Sequence, residues 1–122
     1  MKTYRLPRPR HLFPLAALAA FALLAACGED EGPASNSTCP PASTLTYASF
    51  GQAFMATNCN RCHSGDESPN LTSQGAIQSN RNAIDKQAAA GPNATNTYMP
   101  PNGSVSLEDR QKLGEWLACG AP

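Results

Sequence analysis

The chain carries little charge of either sign: nine Lys and Arg balance nine Asp and Glu, and charged residues make up 15% of 122 positions. So few cations form no basic patch, which excludes nucleic acid as a partner and leaves no strong field to steer a charged ligand. Aromatics are also few, at 7%. The core inventory is therefore thin, with Tyr47, Phe50, Phe54, Tyr98 and Trp116 joined by a handful of Leu and Ile. No apolar run reaches the roughly 20 residues of a spanning helix, since the run from Leu15 to Ala26 stops at about a dozen. Outside the N-terminal segment His63 is the only His, so a finger-type zinc site lacks ligands and no second imidazole can serve as a peroxidase-like distal base.

What is present begins with an export signal. Lys2, Arg5, Arg8 and Arg10 precede the apolar run, as the charged and hydrophobic parts of such a signal do. The run ends in Leu24-Ala25-Ala26-Cys27, where Leu stands at a position that an ordinary secretory cleavage site fills with a small residue. This resembles a lipobox, and the resemblance makes Cys27 the lipidated first residue of the mature chain; the alternative is a soluble secreted protein cut nearby. Buried acyl methylenes at about 0.8 kcal/mol each would hold it to a membrane.

The expected organisation is a removed signal over 1–26, a flexible tether from lipidated Cys27 through 38, and one domain over 39–122. The tether, with Gly, Glu, Asp, Ser, Asn and Pro but no apolar periodicity, would reach on the order of 18 Å. Removal of the signal takes four of the nine basic residues, and three of the nine acids (Glu29, Asp30 and Glu31) lie in the tether, so the domain itself is close to neutral. It is large enough for one small core and too small for two.

The most informative stretch is Cys59-Asn60-Arg61-Cys62-His63. Two thiols three positions apart can each add to a vinyl group on one edge of a porphyrin, and the adjacent imidazole is then held where it can ligate iron. A thioredoxin-like reading needs a strand before the motif and a βαβ pattern around it, and neither is visible. A disulfide within so short a loop would be strained.

Together with an aromatic helix before it, Tyr98-Met99-Pro100-Pro101 after it, and a closing helix with Leu113, Trp116 and Leu117, this motif resembles a small class I type cytochrome c. The resemblance covers nearly the whole mature chain. It implies an all-α fold of three to four helices around one covalently bound haem c. It further implies Cys59 and Cys62 as attachment residues, with His63 and Met99 as the iron ligands. Met55, on the helix leading into Cys59, reads as packing. Of five Cys, one is assigned to lipid and two to haem, which leaves Cys39 and Cys119 as a disulfide pair in an oxidising compartment, with two free thiols as the alternative. Closing that loop would contribute roughly 4.5 kcal/mol at most.

The helical expectations are specific. Thr46 can cap a helix carrying Tyr47, Phe50, Gly51 and Phe54 on one stripe. Gly51 costs about 1 kcal/mol of helix propensity; close approach of another helix would explain it, and the alternative is that it is simply a weak helix position. Between Leu71 and Ala90, Ile77, Ile84 and Ala88 are at helical spacing, but Gly75 and the run Ser79-Asn80-Arg81-Asn82 suggest one frayed helix or two short ones. Lys86 and Arg81 read as solvated surface. The closing helix starts at Ser106 with Asp109 in the capping-box position, carries the Glu108/Lys112 pair, and stops at Gly120.

Three functions compete: a monomeric single-electron carrier between redox donor and acceptor proteins outside the cytoplasmic membrane; a haem-based sensor or gas-binding domain with a dissociable Met99; and a non-catalytic domain of the kind fused to an oxidase or dehydrogenase. Asp66 and Glu67 read as an ordinary acidic turn, and no further catalytic constellation is present, so the carrier is the expectation and an enzyme is not.

Overall fold

The computed structural model describes residues 31–122, and every element named within them is helical. The signal segment and Cys27 lie outside the described residues. A π-helical turn, Tyr47–Gly51, runs into α1, Gln52–Asn58; α2 is Gln74–Ala88 and α3 is Leu107–Ala118. The all-α expectation therefore holds, with three α-helices among the described residues. Extended chain contributes only an isolated bridge between Ala90 and Thr95.

The π-turn, α2 and α3 each start at a hydroxyl cap, because the first backbone N–H groups of a helix have no partner within it. Ser49 N–H donates to Thr46 Oγ1 at 3.0 Å, and Thr46 N–H donates back to Ser49 Oγ at 2.9 Å. Ser73 Oγ accepts from Ala76 N–H, and Ser106 Oγ accepts from Asp109 N–H. α2 is one unbroken helix. Its polar middle does not fray it because Ile77, Ile84 and Ala88 are buried in the common core.

The core lies where α1, α2 and α3 meet, around a fully buried Trp116. Phe50 meets Trp116 edge-on with ring centres 5.9 Å apart and lies 5.3 Å from Phe54, within the range favoured by aromatic pairs. Gly51 is the reason the π-turn can approach α3: a Cβ there would lie 2.2 Å from Trp116 Cζ2. Met55 is buried in the same core, as its packing assignment anticipated.

Two further ties close this side. Cys39 and Cys119 form a disulfide across a sequence separation of 80, with Cα atoms 4.7 Å apart. The last residues hold the π-turn, α2 and α3: Tyr47 N–H and Trp116 Nε1 donate to the Pro122 carbonyl, and the amides of Gln74 and Gln78 both donate to the Ala121 carbonyl.

The structure departs from the flexible tether expected through residue 38. Residues 31–38 form an ordered strap over α2 and α3, in which Gly32 and Ser35 are buried. Ser35 N–H and Oγ both donate to the Asp85 carboxylate, Gly32 N–H donates to Lys86 O, and Asn96 Nδ2 donates to Pro33 O. Gly114 lies beneath the strap; a Cβ there would lie 2.2 Å from Ser37 Oγ. Lys86, expected as solvated surface, pairs at 3.3 Å with Glu31 and remains partly exposed. The strap is fixed by polar groups that meet backbone, a pattern with no hydrophobic period for a sequence reading to detect.

Candidate functional site

The last turn of α1 delivers the motif. Cys59 and Asn60 N–H both donate to Met55 O, and the chain then coils so that Cys62 and His63 N–H both donate to Cys59 O, at 3.2 and 3.0 Å. The thiols of Cys59 and Cys62 are free, the first partly buried and the second exposed. Burial pushes the Cys59 thiol up to about 11, with the positive charge of Arg110 acting in the opposite direction.

His63 is oriented by its own loop. Its Nδ1 lies 2.9 Å from the Pro69 carbonyl, and a carbonyl can only accept, so Nδ1 carries the proton and Nε2 is left with a free lone pair. Such a backbone partner fixes the tautomer and ring orientation that metal ligation requires. Leu71 N–H donates to His63 O at 2.8 Å, closing the loop.

Cys59, Cys62, His63 and Met99 line one cleft of about 160 Å³, whose walls include Leu71, Ile84 and Ala88. The sequence-predicted attachment and ligand residues are thus brought together although Met99 lies far along the chain. Met99 is 39% exposed at the rim, while its backbone is tied on both sides. Its N–H donates to Gln87 O at 2.9 Å, and its carbonyl accepts from Arg110 Nη1 at 2.9 Å. Cys39 and Cys119 are bonded to each other away from this cleft, and Cys27 lies outside the described residues.

These residues fit a covalently held haem. The chemistry of the set is two free thiols, an imidazole with Nε2 available and a thioether, around apolar walls that suit the macrocycle. Residues 48–117 match the family model for cytochrome C oxidase, cbb3-type, subunit III. The chain belongs to this family of c-type cytochromes. As a c-type cytochrome it carries covalently bound haem with its iron, and its general role is electron carriage. No curated protein and no solved structure matches the chain. Among the described residues no helix is long and apolar enough to cross a membrane.

Two residues that sequence reasoning did not assign organise the cytochrome's Met99 side. Arg110 and Asn96 are each 2% exposed, and both work at the C-terminal end of α2, where the carbonyls after Asp85 lack helical partners. Asn96 Nδ2 donates to Asp85 O, Gly32 N–H to Lys86 O, Met99 N–H to Gln87 O and Arg110 Nη1 to Ala88 O. The signal for Arg110 was its place on the α3 stripe, three positions before Leu113 and seven before Leu117.

Proposed function

We propose that this cytochrome is a single-electron carrier whose haem is attached through Cys59 and Cys62 and whose iron is ligated by His63 and Met99. The observation that carries this reading is the convergence of the two thiols, the oriented imidazole and the thioether on one apolar cleft. When bound there, the iron supplies reversible one-electron chemistry. The chain's contributions are separate. The Pro69 carbonyl holds His63 with Nε2 free, the Leu71, Ile84 and Ala88 walls would keep water from the buried face, and Met99 would offer its thioether sulfur as the second iron ligand. Thioether ligation raises the potential relative to a second imidazole and leaves no open site for catalysis, so the protein passes electrons without transforming a small substrate.

The partners are redox proteins, a donor and an acceptor, met in turn by a monomer. Near-neutral folded charge suits small, short-lived docking. Lipidation at Cys27 after removal of 1–26 would place the domain outside the cytoplasmic membrane on an anchor. Changing Cys27 to Ser should leave the precursor uncleaved or release a soluble form.

Met99→Ala tests the ligand set. It should lower the reduction potential, remove the thioether spectral signature of the ferric form and admit carbon monoxide to the ferrous form, with the haem still attached. An unchanged potential and spectrum would show that Met99 is not the ligand.

A further inference from the structure

Arg110 carries a charge with no carboxylate partner among the described residues. A guanidinium in so buried a position is ordinarily paired. Its Nη1 instead shares its two N–H bonds among three backbone carbonyls, Ala88 O at 2.7 Å, Asn96 O at 2.8 Å and Met99 O at 2.9 Å, while its buried Nη2 has no partner. What offsets the charge is the C-terminal end of α2, where Ala88 O lies and where the helix dipole is negative. The same group thus ties the end of α2 and both ends of the 96–99 segment to the first turn of α3.

We infer that Arg110 is a positioning residue for the Met99 ligand: it fixes the Met99 backbone so that the thioether stays on iron, and its buried charge favours the ferrous form. The inference rests on the His63/Met99 reading above. Its first part follows from geometry, since Met99 lies at the rim and only its N–H bond to Gln87 O and its carbonyl bond to Arg110 are seen to hold its backbone. The second follows from Coulomb's law, because oxidation adds a positive charge to a site that already contains an unpaired one in a poorly screened interior. A residue serving fold alone would do neither.

The test uses the haem-loaded protein and three variants. Arg110→Met removes both the charge and the donors, Arg110→Gln keeps two N–H donors without charge, and Arg110→Lys keeps the charge. Either neutral variant should shift the equilibrium between reduced and oxidised forms at least tenfold toward oxidised, a fall of about 59 mV for one electron. Imidazole should also displace the thioether from ferric iron at several-fold lower concentration. Arg110→Lys should restore most of the potential. If Arg110→Met fails to fold, Arg110→Gln still decides. Neutral variants with wild-type potential and imidazole affinity would overturn this inference alone. A wild-type protein lacking the thioether signature would overturn the ligand reading and this inference with it.

Discussion

The contact of the π-turn with α3 and the cleft beside α2 are built by opposite means. At this contact the chain closes on itself: Gly51 admits the Trp116 ring, Phe50 meets that ring edge-on with Phe54 packed against Phe50, and the Cys39–Cys119 disulfide and the C-terminal carbonyls bind the edges. At the cleft, apolar walls face a space the chain leaves open, and the bordering segments are held by backbone hydrogen bonds to His63 and Met99. A domain of this size lacks the burial to spare for two such regions. One is completed by side chains and the other by its cofactor.

The largest expected effect falls on the cofactor side. Replacing both Cys59 and Cys62 by Ser should abolish covalent haem, read as loss of the haem mass from the denatured protein, and should lower the melting temperature more than any change below. Retention of a covalent haem by the double variant would break the distinction. On the closed side, replacing Cys39 and Cys119 by Ala should cost about 2–5 kcal/mol in denaturant unfolding while leaving the reduction potential in place. A large shift in potential would mean that the two regions are not separable.

Gly51→Ala sharpens the comparison because two effects oppose. Helix propensity would gain about 1 kcal/mol, whereas crowding of the Trp116 ring should cost about 1–3 kcal/mol. Net destabilisation is expected, since the ring is fully buried and the added atom would meet it at 2.2 Å; a Gly51→Ala protein more stable than the wild type would place the helices further apart than described. The smallest effect belongs to the strap. Ser35→Ala should cost about 1 kcal/mol by removing a buried hydroxyl bond to Asp85, and no loss at all would return residues 31–38 to a free tether.

The legible parts of this molecule were those written in spacing. The thiol and imidazole pattern, the Thr46 and Ser106 caps, and the stripe of Leu113, Trp116 and Leu117 each follow from short-range geometry that a sequence displays directly. The strap was not legible, because Asn93 and Asn96 donate to the Ala34 and Pro33 carbonyls, and the Asp85 carboxylate accepts from Ser35 N–H, at sequence separations of 50 or more. Arg110 was partly so: its position on the buried stripe was visible, but its acceptors are carbonyls, which no sequence distinguishes. The unity of α2 was hidden by polar residues that lie on its outer face.

The central claim is that His63 and Met99 together close the iron of an electron-carrying haem. The direct measurement is the visible spectrum of the unmutated, reduced holoprotein before and after carbon monoxide is added. The expected result is a six-coordinate ferrous spectrum that carbon monoxide leaves unchanged over the time of the measurement, with the thioether signature present on reoxidation. Prompt formation of a carbon monoxide complex by the unmutated protein would contradict the claim and make a gas-binding or sensing domain the better account.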